Sequence, residues 1–182
     1  FFSDNGGLAT KQGVGPGCNL PLRASKGWLY EGGIRVPLIV RMPNRRSAGL
    51  QLSTPVLSTD IYPTLLSLAG LPLRPEQHMD GQSFVGLMNG EVKDSASRTL
   101  YWHYPHYHGS MWTPGAAIRK GDWKLVQFYH FDKLELYNLR EDLGESRDLS
   151  AARPEVTRTL LADLLKWQER LGASIPIVRE AK

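Results

Sequence analysis

Two stretches carry residue types that could do chemistry, and a third invites a false reading. The first is "FFSDNGG" at positions 1–7, where Asp4 and Asn5 stand side by side before two glycines. One charged and one neutral oxygen donor suit a hard divalent cation such as Ca2+ or Mg2+, whereas softer metals ask for His or Cys. Neighbouring side chains on a strand point to opposite faces, so both could reach one ion only where a strand ends and turns. Gly6 and Gly7 stand where that turn would be. The same residues also read as a plain hairpin turn, because Asn-Gly supplies the positive φ values of a two-residue connection. On residue type alone the turn is ahead, since Ca2+ takes roughly 6–8 oxygens.

The second stretch is "YWHYPHYHGSMW" (101–112), with His103, His106 and His108 among aromatic rings. No acidic or Cys residue lies near them and their spacing is loose, which argues against a metal site. Aromatic rings with polar tips are platforms for sugar faces and anionic groups, which places His103 and His106 at the rim of a substrate pocket. The alternative is a core strand with a wet end. The third feature is Cys18, the one cysteine, which excludes an internal disulfide and a clustered zinc site.

These residues need elements to hold them. "GIRVPLIVRMP" (33–43) sets Val36, Leu38, Ile39 and Val40 between prolines and predicts a buried strand. "STDIYPTLLSLAGLP" (58–72) predicts a helix capped by Ser58 or Thr59, with Asp60 at its positive end and Pro63 near its first turn. Ile61, Leu65, Leu66 and Leu68 form its apolar face, and Gly70 and Pro72 end it. From about residue 99 short aromatic and β-branched runs alternate with turns, and Gly121-Asp122 marks a hairpin. In "PEVTRTLLADLLKWQERLG", Val156, Leu160, Leu164, Trp167 and Leu171 recur at helical spacing, with Leu161 and Leu165 widening the stripe. Pro154 suits the first helical position and Gly172 the C-terminal cap. The reading is α/β, in two parts divided near "GEVKDSAS" (90–97): residues 1–92 as α/β, and 93–182 as a small antiparallel sheet with a packed helix.

With 182 residues the chain can bury a real core, and a net charge of +4 is mild. Arg41, Arg45 and Arg46 form the most basic cluster; without an accompanying nucleic-acid motif they read as a solvated loop, so no nucleic-acid partner is expected. No apolar run approaches the ~20 residues of a membrane span. Neither a signal nor a transit peptide is visible. The opening reads as an internal piece of something longer.

Taken in order, "SDNGG", "PLRASKGWLYEGGIRVP", "STDIYPTLLSLAGLP", "DGQSFVGLMNG", "AIRKGDWKLV" and "ELYNLREDLGESRDLSAARPEV" closely resemble the sulfatase family (arylsulfatases) of the alkaline-phosphatase superfamily. The resemblance covers nearly the whole chain. It implies the C-terminal portion of an alkaline-phosphatase-like fold and hydrolysis of sulfate esters, from a sulfated carbohydrate or an aryl sulfate. Asp4 and Asn5 match metal ligands, with Ca2+ the usual ion and Mg2+ an alternative, and Lys26 matches the lysine that contacts the sulfate group. A cation and an ammonium aimed at the ester oxygens would stabilise the charge that develops as the bond breaks. Glu31, Gly32, Gly33 and Arg35 read as structural, with Glu31 paired to an arginine.

The family's formylglycine nucleophile arises in Cys/Ser-x-Pro-x-Arg, which "CNLPLR" does not match; Cys18 is a loop cysteine, and the nucleophile is expected upstream. "RAS" at 23–25 and "EDLGE" at 141–145 depart from the commoner family patterns, in loops, and leave the subfamily open. The 182 residues alone are expected to hydrolyse no sulfate ester and to self-associate through exposed strands. The resemblance implies a periplasmic or secreted setting. Phosphonate or phosphate monoester hydrolysis within the same superfamily, or a non-catalytic binding or scaffold module, are the alternatives.

Overall fold

The computed structural model describes residues 1–9, 16–43, 49–91 and 98–176. Arg45, Arg46 and most of the "GEVKDSAS" boundary lie outside the described residues. The chain forms two compact units: Phe2–Leu38 with Ser97–Lys182, and Phe1 with Ile39–Ala96. Residues 2–38 group with the sheet, and residues 39–96 with Phe1.

The larger unit is built on a four-stranded antiparallel meander: β1 (Thr99–Tyr104), β2 (Gly115–Lys120), β3 (Trp123–Phe128) and β4 (Lys133–Asn138), in that spatial order. The β2–β3 hairpin turns at Gly121-Asp122, where Gly121 takes φ +60°, a value glycine adopts without strain. Side chains alternate between faces along each strand. One face presents Ala116, Ile118, Leu125 and Leu136 to Leu160 and Leu164 of helix α4 (Pro154–Leu171). Pro154 begins that helix and Gly172, at φ +59°, ends it, as the sequence predicts. The stripe differs at three positions. Leu165 and Leu171 are exposed, while Gln168 is buried and donates to Gln127 Oε1 at 3.2 Å and to the Tyr129 hydroxyl at 3.0 Å. An 18-residue helix crossing a small sheet covers it with a narrow stripe, which leaves the outer leucines exposed.

The other face carries Ala117, Val126, Phe128 and Tyr137, and the loop of residues 23–34 lies over it through Leu29 and Tyr30. A short helix, α1 (Glu31–Ile34), closes that loop. Its attachment is ionic as well as apolar. Lys124, fully buried on β3, reaches Glu31 Oε1 at 2.9 Å and Glu145 Oε1 at 2.8 Å. The Glu31 backbone N–H donates to Glu145 Oε2 at 2.6 Å. Glu31 Oε2 faces Arg35 and Arg119 at 3.6 and 3.7 Å, so the arginine pairing expected for Glu31 is present, with a buried lysine added. Beside it Arg23 lies over the Tyr30 ring at 3.8 Å and donates to the Tyr137 hydroxyl and the Glu145 carbonyl, each at 2.7 Å.

In the smaller unit a 3-10 turn (Ser58–Asp60) leads into α2 (Ile61–Leu68), followed by α3 (Val85–Met88). Asp60 organises both: its Oδ2 accepts the Leu57 N–H at 2.7 Å and its Oδ1 the Gln82 N–H at 2.8 Å. Gly70, at φ +67°, ends α2 as predicted. The expected apolar face is not a buried one here: Leu65 and Leu68 are exposed, and Pro63 and Thr64 are buried instead. The buried strand predicted over Val36–Val40 is likewise corrected. In the larger unit Leu38 makes only an isolated bridge with Phe2. In the smaller one Ile39 and Phe1 exchange main-chain hydrogen bonds, and Ile39 and Val40 are exposed. A strand needs neighbours along its length, and among the described residues only Phe1 and Phe2 lie alongside. No helix among the described residues is long and apolar enough to cross a membrane.

The ionic attachment carries a pH signature. Burial opposes charge on Glu31, but Lys124, Arg119 and Arg35 outweigh it and hold its carboxyl below the ordinary value of 4.5. A carboxyl depressed in the folded state contributes stability that is present above its unfolded value and lost as pH falls through its folded one. Burial pushes the Glu145 carboxyl up against the pull of Lys124, so its contribution has the opposite sign and fades as pH rises. We therefore expect Glu31→Gln to flatten the acid limb of stability. Urea midpoints of wild type and variant, measured from about pH 6 to pH 3, should converge as pH falls. Parallel curves would remove Glu31 as a source of the acid dependence.

Candidate functional site

The Asp4–Asn5 turn is tied by main-chain hydrogen bonds to the loop that carries Lys26. Gly6 N–H donates to the Gly33 carbonyl at 2.9 Å, and Lys26 N–H donates to the Gly7 carbonyl at 3.2 Å. Asn19 Nδ2 adds a clamp, donating to the Gly7 carbonyl at 2.8 Å and to the Ala24 carbonyl at 3.1 Å. Glycine is required by the close approach at Gly6, where a Cβ would collide with the Gly32 carbonyl. Gly32 in turn donates to the Arg23 carbonyl at 2.8 Å, and a Cβ there would strike the carbonyls of Arg23 and Ala24. "SDNGG" and "RASKGWLYEGG" are thus one backbone unit, and this is why both need their glycines.

Asp4 is exposed, and Asn5 is half-buried with its carbonyl accepting from Ser3 Oγ at 2.8 Å. The donor types fit a hard cation. Their number is short of a full shell, and among the described residues no group of three His, Cys, Asp or Glu could hold a metal. Lys26 is exposed beside this turn. Cys18 is a free, exposed loop cysteine.

The histidines separate. His103 lies on β1 with the parity of Tyr101, whose ring stacks on Trp167 of α4 at 4.8 Å. It is therefore on the helix face, across the sheet from the loop that carries Lys26. Both its nitrogens are engaged. The Tyr129 hydroxyl, which accepts from Gln168, donates to His103 Nδ1 at 2.6 Å, and His103 Nε2 donates to the Ser174 carbonyl at 3.2 Å. Its position on the α4 face sets it apart from the Lys26 loop, and the half-buried ring has a partner at each nitrogen. His106 is exposed at the end of β1, edge-on to Tyr104 at 5.8 Å.

His108, which residue types alone did not single out, is the histidine beside Lys26. Its ring fills the space over Gly27, which has φ +86° and no room for a Cβ on that side. The Ser110 N–H donates to His108 Nδ1 at 3.1 Å, with Ser110 Oγ 2.8 Å from the same atom. Nδ1 is therefore the acceptor, and Nε2 carries the proton of the neutral ring. Nε2 makes no hydrogen bond among the described residues. Trp28 Nε1 donates to the Ser110 carbonyl at 2.8 Å and Trp28 meets Trp112 edge-on at 5.7 Å, so the 105–112 loop is fixed against the Lys26 loop. The sequence signal for this was the glycine after Lys26, which leaves room for a ring.

Residues 24–170 match the family described as N-sulphoglucosamine sulphohydrolase, C-terminal. A sulfatase of Formosa agariphila is 40% identical over 183 residues, covering 95% of this chain and 32% of its own. Among solved structures, Ps i-CgsB in complex with k-i-k-neocarrahexaose superposes with a TM-score of 0.76 at 30% identity, over 92% of this chain and 35% of that one. BT4656 in complex with its substrate D-glucosamine-2-N,6-O-disulfate superposes with a TM-score of 0.69 at 28% identity, over 84% and 32%. The chain spans about a third of the length of the curated relatives it matches. Its ordered motifs, its fold and the family match over residues 24–170 make this chain a member of the sulfatase family.

Proposed function

We propose that this chain forms the C-terminal part of a sulfatase that hydrolyses a sulfate ester of a carbohydrate. The observation that carries the reading is the single backbone unit joining the Asp4–Asn5 turn to the Lys26 loop. It ties the segment that carries two oxygen donors to the segment that carries the Lys26 ammonium. Asp4 and Asn5 would hold a divalent cation, Ca2+ in preference to Mg2+, together with ligands from elsewhere in the complete enzyme. When bound, that ion supplies positive charge toward the ester oxygens. Lys26 places its ammonium against the sulfate group and stabilises the charge that grows on its oxygens and on the leaving oxygen. Such charge stabilisation is strongest where water is excluded. The chain contains no Cys/Ser-x-Pro-x-Arg sequence, so a formylglycine nucleophile would belong to another part of the enzyme. His108 Nε2–H and the exposed His106 form a donor-rich rim beside Lys26, with Trp28 and the neighbouring tyrosines as aromatic surface for a sugar ring. The carbohydrate class rests on the two structural relatives solved with saccharide ligands.

In the complete enzyme Asp4→Ala should lose both bound metal and activity, because it removes a charge together with a ligand. Asn5→Asp should be milder, since an oxygen donor stays in place. Lys26→Ala should lower turnover by ~10²-fold or more, as the loss of one oxyanion donor does, with little change in melting temperature. Metal analysis, steady-state kinetics and melting curves on the three variants check this. A metal-free Asp4→Ala enzyme with full activity would contradict the metal assignment. A Lys26→Ala enzyme that melts early but turns over normally when folded would make Lys26 structural.

Substitution of His106 or His108 by Ala should alter discrimination among sulfated sugars more than turnover of a small aryl sulfate, because a rim contact touches only the larger substrate. His103→Ala should lower thermal stability and leave that discrimination unchanged. Kinetics on a sulfated saccharide and an aryl sulfate, with a melting curve for each variant, separate the two roles. Equal losses on both substrates for His108→Ala would move it from the rim into the chemistry.

A further inference from the structure

Lys124 lies within β3, fully buried, and on its face of the sheet its Nζ meets two carboxylates, at 2.9 Å on Glu31 and 2.8 Å on Glu145. Neither glutamate is near it in sequence: Glu31 is 93 residues away. Burying three ionic groups is a costly way to attach a loop, and apolar side chains of similar volume often serve as well or better. What the ions supply here is direction. Glu145 receives the Glu31 N–H at 2.6 Å while Lys124 holds the Glu31 carboxylate, so both ends of residue 31 are fixed. Glu31 is the first residue of α1, and the carbonyl of Gly33, two residues on, receives the Gly6 N–H. Gly7, next to Gly6, receives the Lys26 N–H. Glu145 itself takes φ +49°, which a non-glycine residue adopts only when its surroundings hold it there.

We propose that Lys124 is a positioning residue for the sulfatase site: through Glu31 and Glu145 it sets where the Asp4–Asn5 turn and Lys26 stand relative to the sheet. The inference rests on the site reading given above. It assigns Lys124 no contact with substrate or metal. The path runs from the β3 ammonium to the Glu31 carboxylate, through the α1 turn to Gly33, and from Gly6 and Gly7 to both functional segments. Removing partners outside the ligands of a metal commonly costs 10–100-fold in metal affinity or activity, and an effect of that order is expected here.

The test uses the complete enzyme and four variants. Lys124→Met removes the ammonium at similar length. Lys124→Met with Glu145→Gln also removes one of the carboxylates it would leave unpaired. Leu164→Ala, in the core on the opposite face of the sheet, is a destabilised control. Asp4→Ala reports on the site reading itself. Three quantities are read: the Ca2+ midpoint by titration, kcat and KM for an aryl sulfate, and amide exchange of Gly6 and Lys26 against Leu125 in the metal-free protein.

For either folded Lys124 variant we expect the Ca2+ midpoint to rise at least ~10-fold and kcat to fall by a similar factor. Exchange at Gly6 and Lys26 should quicken more than at Leu125. Leu164→Ala should lower stability without moving the midpoint or kcat. If folded Lys124 variants merely melt earlier, as Leu164→Ala does, Lys124 is structural and the proposal fails. If neither variant folds, the cluster is a requirement of the whole fold, which also overturns a specific positioning role. Should Asp4→Ala keep its metal, the site reading itself falls and this inference with it; loss of metal there with normal Lys124 variants sinks only the inference.

Discussion

A buried ammonium between two carboxylates is the constraint on which the larger unit depends. An unpaired charge on Lys124 inside the sheet face would be very costly, so Glu31 and Glu145 must both come to it. Meeting that demand draws residues 23–34 across the sheet and fixes the chain near residue 145 in an unusual backbone conformation. The aromatic contacts follow from the same placement. Arg23 lies on Tyr30, and the Tyr30 and Tyr137 hydroxyls both donate to Glu135 Oε2, at 2.5 and 2.7 Å. Burial and the Glu135 carboxylate push both tyrosine hydroxyls well above their usual range, which keeps them neutral donors at any physiological pH.

The sheet therefore works as a two-sided support. Its α4 face is closed by a conventional apolar stripe together with the polar chain Gln168–Tyr129–His103–Ser174. Its other face holds, by ions and aromatics, the loop that carries Lys26. A site built on loops needs a rigid scaffold beneath them. Here the rigidity comes from β2 and β3, whose inward side chains are almost wholly buried.

Much of this was legible in the sequence, and the failures share a cause. Helix α4 announced both ends through Pro154 and Gly172, and the β2–β3 hairpin announced its turn, because capping and turn chemistry are local. Burial is not local. Val36–Val40 has the composition of a core strand, yet a ladder depends on neighbours that these residues do not supply along its length. Leu65 and Leu68 have helical spacing, but spacing does not say what faces them. Lys124 in "WKLVQF" looks like the solvated member of an alternating strand. Its burial follows from a glutamate 93 residues earlier, which periodicity cannot see. The separation of the histidines was hidden for a related reason. His103 and the loop after β1 are neighbours in sequence, but strand parity and the side taken by α4 send His103 to one face and leave His108 over Gly27 beside Lys26.

The account's central claim is that the turn at Asp4–Asn5 and the Lys26 loop form one half of a cation and sulfate site. A crystal structure of the complete enzyme with Ca2+ and sulfate tests it most directly. We predict an ion with Asp4 and Asn5 side-chain oxygens at about 2.3–2.6 Å, and Lys26 Nζ within about 2.7–3.2 Å of a sulfate oxygen on the same ion's side. An ion coordinated without Asp4 and Asn5, or a sulfate bound with the Lys26 ammonium turned to solvent, would contradict it.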